Sequence, residues 1–167
     1  MRRDVRGVAA MEFALLVSML SLVLVNVADV AIYIFERMEV ENAADLGAMI
    51  VLKNCDTQHV PATTLCSGLN AAVASAVQST SLGNQVTLQG GAPTEGYYCV
   101  NSSNALQYVS DVNNKPADCI AAGSPLLTPG DYIKVQVTYT YAPLFGHLSV
   151  GSAFTTPITK TALMRIG

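Results

Sequence analysis

The sequence predicts an α+β chain: a long N-terminal membrane-spanning helix that continues into a small disulfide-bonded domain, with an antiparallel β-sheet packed on the helix. Three observations predict it. The stretch from Val8 to Phe35 carries only Glu12 and Asp29 as charges, the four cysteines all follow it, and Tyr132 to Tyr141 alternates apolar with polar residues. About 28 residues at about 1.5 Å each make a helix of roughly 42 Å, ample for a hydrocarbon core of about 30 Å.

The elements follow in order. Residues 1–7 form a basic leader with Arg2, Arg3 and Arg6, residues 8–35 the span, and residues 36–167 an outer domain. Glu36 to Leu52 contains no proline, and Ala43, Leu46, Gly47 and Ile50 follow the i, i+3, i+4, i+7 spacing of a buried stripe. One helix therefore covers both 8–35 and 36–52, and the head occupies 53–167. Asn54 to Cys66 reads as a loop around Pro61. Ser67 is a candidate cap for a helix over Leu69 to Gln78, with Leu69, Val73 and Val77 on one face. Gln85 to Gln89 reads as a short strand. Gly90, Gly91, Pro93 and Gly96 read as a turn cluster before a strand at Tyr97 to Val100, and Ala105 to Val109 returns antiparallel to it.

The clearest strand is Tyr132 to Tyr141, where Ile133, Val135, Val137, Tyr139 and Tyr141 point one way and Lys134, Gln136, Thr138 and Thr140 the other. After Pro143, Gly146 and Gly151 break the pattern, Ile158 to Ile166 forms the last strand, with Ile158, Ala162, Met164 and Ile166 on one side. Aromatic strand residues are more often core than surface, so Tyr97, Tyr98, Tyr108, Tyr132, Tyr139 and Tyr141 are read first as packing and second as an adhesive face.

Charge orients the chain. The arginines precede the span while Glu36, Glu39, Glu41 and Asp45 follow it, which puts the N-terminus in the cytoplasm and the domain outside. Cys55, Cys66, Cys99 and Cys119 then sit on the oxidising side and read as disulfides. Three connectivities are open to them; sequential pairing, Cys55 with Cys66 and Cys99 with Cys119, brackets two loops rich in Pro, Asn, Ser or Thr. Only 13% of residues are charged and the net charge is −3, so no basic footprint for nucleic acid exists. There is no CxxC or HExxH, His59 and His147 are far apart, and no Gly-rich phosphate loop or GxSxG occurs, so the sequence offers no metal, cofactor or catalytic carrier.

Two carboxylates inside the span need a reason, since a charge in hydrocarbon costs about 2.5–3.5 kcal/mol on insertion scales. Asp29 lies toward the outer end, where it either snorkels to water or joins Asn26 in hydrogen-bonding other helices. Glu12 is deeper. A cut after Gly7 would leave a free amine on Val8 that Glu12, one turn along, could meet on its own chain or on a neighbour's. Against this stands the plainer reading of Glu12 as a headgroup-level carboxylate at a helix start.

Gly7-Val8-Ala9-Ala10-Met11-Glu12-Phe13 resembles a type IV prepilin processing site: a basic leader ending in Gly, a short apolar residue, then Glu and an aromatic at the fifth and sixth mature positions. Asn42-Ala43-Ala44-Asp45, Ala142-Pro143-Leu144-Phe145 and Thr161-Ala162-Leu163-Met164-Arg165-Ile166 are similar to the TadE-like branch of the tight-adherence pilus system. That resemblance implies a minor pilin or pseudopilin, cut by a prepilin peptidase between Gly7 and Val8, with Glu12 and Phe13 in processing and assembly. The implied partners are other pilin and pseudopilin helices, an inner-membrane assembly platform and the lipid bilayer. The implied setting is the bacterial inner membrane, with a periplasmic head and possible incorporation into an extracellular pilus, and the implied outcome is cell adhesion. The family's major pilins are little more than the helix, so a chain of 167 residues is not expected to be the main filament subunit. The rival readings are a single-pass anchored periplasmic binding or enzymatic domain, and a secreted protein cut near Ala28 by signal peptidase.

Overall fold

A computed structural model describes residues 6–55 and 60–167, with side chains from residue 9 onward in the first segment. Residues 1–5 of the leader and His59 lie outside the described residues. Helix α1 (Arg6–Asn54) is continuous over 49 residues. At about 1.5 Å per residue it is roughly 73 Å long, and no proline interrupts it. It is long and apolar enough to cross a membrane.

The rest of the chain folds against the C-terminal half of α1. Two short helices follow, α2 (Ala62–Leu65) and α3 (Leu69–Val77), then five strands: β1 (Thr87–Leu88), β2 (Thr94–Val100), β3 (Leu106–Asp111), β4 (Gly130–Tyr139) and β5 (Ile158–Arg165). All pairings are antiparallel. Strand β4 is the centre: β5 pairs along its length on one side, β2 pairs with its first half and β1 with its second half on the other, and β3 lies outside β2. Strand β4 runs opposite to α1, so its end approaches the middle of the helix and its start lies at the far end of the head.

The core is a three-way contact between helix α1, helix α3 and one face of the sheet. Ile133, Val135, Val137 and Tyr139 of β4, with Ile158, Ala162 and the following Ile166, meet Val73 and Val77 of α3 and a stripe on α1 made of Val40, Ala43, Ala44, Ala48 and Val51. Burying each valine or isoleucine stabilises the fold by about 1.5–3 kcal/mol. The α1 stripe is made largely of small side chains, and Gly47 shows why: a Cβ there would stand 2.9 Å from Val135 Cγ1 and 2.9 Å from Val77 Cγ2. The helix touches the sheet at a distance that only a missing side chain allows.

The α+β architecture is the predicted one, and several local readings need correction. Leu46 faces out, because the buried stripe runs one residue off the predicted one, through Val40, Ala44 and Val51. Ser67 does not cap α3; Gly68, in the left-handed conformation at φ 75°, occupies that position. The loop before Cys66 contains α2. Gly96 belongs to β2 rather than to a turn, since its missing side chain admits the Tyr108 ring, which a Cβ would approach to 2.6 Å. The tyrosines divide: Tyr139 and Tyr141 are buried, whereas Tyr98 stacks edge-on with Tyr108 and Tyr132 at 5.5 and 5.6 Å on the sheet's other face.

Cys55 pairs with Cys66 and Cys99 with Cys119, closing loops 11 and 20 residues apart in sequence. Each closure of about this size contributes roughly 3 kcal/mol by restricting the unfolded chain. The first ties the end of α1 to α2, which is also held by Glu95 of β2: its carboxylate accepts from the N–H of Ala62 (2.8 Å) and Thr63 (2.7 Å) and from the Thr63 hydroxyl (2.6 Å). The second ties the end of β2 to the turn at Ile120–Ala122.

Gly47→Leu is expected to lower stability by about 1–3 kcal/mol through overpacking, read as a fall in the unfolding temperature of the detergent-solubilised chain. An unchanged unfolding temperature would show that the contact between α1 and β4 is not tight.

Candidate functional site

Helix α1 is divided by what surrounds it. From Ala9 to Leu24 every residue is exposed, and cover by the head begins at Val25 and Asn26. The uncovered stretch from Ala9 to Leu24 is 16 residues, or about 24 Å, shorter than the apolar run to Phe35 and somewhat shorter than a hydrocarbon core of about 30 Å.

Polar side chains within the uncovered stretch mostly satisfy themselves on the helix. Ser18 donates its hydroxyl to the Leu15 carbonyl and Ser21 to that of Val17, both at 2.8 Å. Such back-bonding keeps a hydroxyl paired where no water is present. Glu12 is different. It is exposed on the same helix, and among the described residues it has no hydrogen-bond or ion-pair partner. Phe13 beside it is exposed too. Gly7 and Val8 lie in the first turns of α1, their surroundings outside the described residues.

Asp29 and Asn26 behave otherwise than either sequence reading expected. Both are engaged within their own chain, by the loop from Ala142 to Ala153 that joins β4 to β5. Asp29 is 0% exposed. Its Oδ1 accepts from the Leu144 N–H at 3.0 Å, its Oδ2 accepts a short hydrogen bond from the Ser149 hydroxyl, and its backbone carbonyl accepts from the Tyr141 hydroxyl at 3.3 Å. The Ser149 hydroxyl in turn accepts from the Gly151 N–H at 3.1 Å. Asn26 Oδ1 accepts from the Val150 N–H at 2.8 Å, while its amide donates to the Leu22 carbonyl at 2.7 Å. Gly151 closes the packing, since a Cβ would sit 2.9 Å from Asp29 Oδ2 and 3.0 Å from the Tyr141 hydroxyl. Above this cluster Tyr33 packs on Phe154 at 4.5 Å and edge-on to Tyr141 at 5.0 Å.

The sequence singled out Ala142-Pro143-Leu144-Phe145 and Asp29 separately. It missed Ser149, Tyr141 and Gly151 as their connection. The available signal was composition: Ala142 to Thr156 has no Asp, Glu, Lys or Arg and is rich in small residues, which suits a loop that must wrap a carboxylate rather than solvate in water.

Other titratable groups lie in the head. Glu36 is partly buried against the Tyr139 hydroxyl; burial raises its pKa, the hydrogen bond opposing, and burial with that same carboxylate pushes the tyrosine up to about 12. Lys160 pairs with Glu41 at 2.6 Å, which draws the Glu41 pKa down, and Ser81 does the same for Glu39 by donating from its hydroxyl at 2.7 Å and its N–H at 3.1 Å. At the distal end Asp131 is buried with neither carboxyl oxygen in a well-formed hydrogen bond. Burial foremost, then the Glu95 carboxylate, push its pKa up to about 6 against weaker pulls from Lys115 and the Tyr132 N–H. No group of three or more His, Cys, Asp or Glu able to hold a metal ion occurs among the described residues. His147 is exposed in the turn Gly146–Leu148. No protein-family profile, curated protein or solved structure matches the chain.

Asp29→Ala leaves the Leu144 N–H and the Ser149 hydroxyl without their acceptor, an expected loss of about 1–3 kcal/mol. Faster hydrogen exchange confined to the 142–154 loop is the expected readout, and unchanged exchange there would count against the anchor. The raised pKa of Asp131 means the fold prefers its protonated form. That contribution is complete below the ordinary carboxylate range and lost as pH rises to about 6. Between pH about 4 and 6 the wild-type unfolding temperature is therefore expected to fall relative to that of Asp131→Asn, and parallel curves for the two would contradict the assignment.

Proposed function

We propose that the chain is a minor pilin or pseudopilin of a tight-adherence, type IVb pilus system. A prepilin peptidase cuts it after Gly7, and it acts by helix–helix assembly in pilus biogenesis and adherence. In this reading α1 anchors it once in the bacterial inner membrane, N-terminus in the cytoplasm and head in the periplasm, until the assembly platform extracts it. It is not an enzyme.

The observation that carries the reading is Glu12. Ser18 and Ser21 answer their own polarity on the helix, and Asn26 and Asp29 are answered by the head, but Glu12 is exposed and has no partner among the described residues. A carboxylate at the centre of a membrane helix carries a penalty of about 2.5–3.5 kcal/mol on insertion scales, and Glu12, one turn in, bears part of it, so a partner from outside this chain favours assembly. The amine that a cut after Gly7 creates on a neighbouring subunit has the right charge at the right depth, and pairing the two sets helices in axial register. The surrounding Met11, Phe13, Leu15, Leu16 and Met19 give such a helix large apolar side chains on all sides, as a bundle interior requires.

Glu12→Ala is expected to leave membrane insertion intact and to abolish or sharply reduce incorporation into pili, scored by membrane fractionation and by counting surface pili. Normal piliation in that variant would remove Glu12 from the mechanism.

A further inference from the structure

The β4–β5 loop has a second property that its anchoring to Asp29 does not explain. Its inward groups are polar and engaged, whereas its outward side chains are large and apolar: Leu144 is 68% exposed and Leu148 74%, with Phe145 and Val150 exposed between and beside them. From Ala142 to Thr156 nothing carries a fixed charge. Scattered exposed leucines are ordinary, but four large apolar side chains within seven residues form a patch that calls for a partner.

Position names that partner. The Val150 N–H is bonded to Asn26 and the Leu144 N–H to Asp29, so the patch is fixed at the point where the bare part of α1 ends. That bare part, 16 residues from Ala9 to Leu24, falls short of the roughly 20 needed to cross a hydrocarbon core. With Arg6, the first residue of α1, at one face of the bilayer, Asn26 lies about 30 Å further along the helix, at the opposite edge of the hydrocarbon, and the loop reaches it with apolar side chains.

We infer that the Leu144–Val150 loop is a second membrane contact: its apolar side chains insert into the boundary between headgroups and acyl chains on the head's side of the bilayer, beside the emerging helix. This rests on the reading of α1 as a membrane span. The insertion seats the head on the membrane surface in a fixed orientation, because loop and helix are hydrogen-bonded to each other at two levels. It also shields Asp29 at the hydrocarbon edge, since Ser149 and the loop backbone close over its carboxylate there. A loop of this kind binds as interfacial apolar segments do, by area and without a specific lipid.

The chain contains no tryptophan, so single-tryptophan variants of the full chain report depth directly. Leu148→Trp tests the loop, Leu22→Trp the span, and Leu126→Trp, at a site 97% exposed before the start of β4, the distal head. Each is reconstituted in phosphatidylethanolamine–phosphatidylglycerol vesicles with and without brominated acyl chains. Expected is a blue-shifted Leu148→Trp emission that loses most of its intensity to brominated lipid, most effectively when the bromines are near the headgroup, with Leu126→Trp red-shifted and unquenched. Quenching of Leu22→Trp alone would overturn the inference while leaving the span intact. A blue-shifted but unquenched Leu148→Trp would overturn it in favour of a second copy of the chain covering the loop. Failure of Leu22→Trp to quench would remove the span, and the loop contact with it.

Discussion

The structure depends on a carboxylate buried against a loop more than 110 residues away in sequence. Asp29 takes hydrogen bonds from Leu144 and Ser149, and Tyr141 reaches the carbonyl of the same residue. A carboxylate so enclosed leaves its partners unsatisfied if the loop moves away, which makes the attachment costly to break. This one contact decides where the head begins on the helix. Below it α1 is bare; above it α1 is one wall of a hydrophobic core. The strands inherit their placement, because Tyr141 follows the end of β4 and Phe154 precedes the start of β5, both packed on Tyr33.

One helix thus serves two surroundings and its composition changes accordingly. In the bare part the side chains are large and apolar in every direction. In the covered part the buried stripe narrows to Ala43, Ala44, Gly47 and Ala48 between two valines, and charges such as Glu39, Glu41 and Asp45 occupy the remaining directions. The first pattern suits contact with lipid or with other helices all round; the second suits close approach of a sheet. No cap or proline separates them, so the helix transmits position rigidly from one environment to the other.

Much of this was legible in the residues. The alternation of Ile133, Val135, Val137 and Tyr139, the face formed by Leu69, Val73 and Val77, and the continuity of α1 are local patterns with periods of 2 and 3.6, and local patterns survive folding. What escaped were close approaches and pairings between distant segments. Gly96 reads as a turn residue beside Pro93 because nothing local announces that the Tyr108 ring will lie over it. Leu46 reads as core beside Ala43, because the choice between adjacent helix faces is made by a partner sheet that needs small residues. Asp29 reads as a residue in search of water or of another helix, because its actual partners are a serine hydroxyl and a backbone amide in a loop that looks featureless. The sequential disulfide pairing lay in between, since loop composition suggested it and only the fold brings Cys99 beside Cys119.

Glu12 stands at the other end of the same logic. Every polar side chain from Ser18 to Asp29 finds its partner within the chain, and Glu12 alone among the described residues of the bare helix does not, so its partner is sought outside. The proposal supplies one by trimming: a new amine on the residue after Gly7. The intact mass of the polypeptide purified from native membranes tests this most directly. The account predicts a chain that begins at Val8 with two disulfides formed; a mass that retains the leader in cells with an active prepilin peptidase, or one that begins near Ala28, would contradict it.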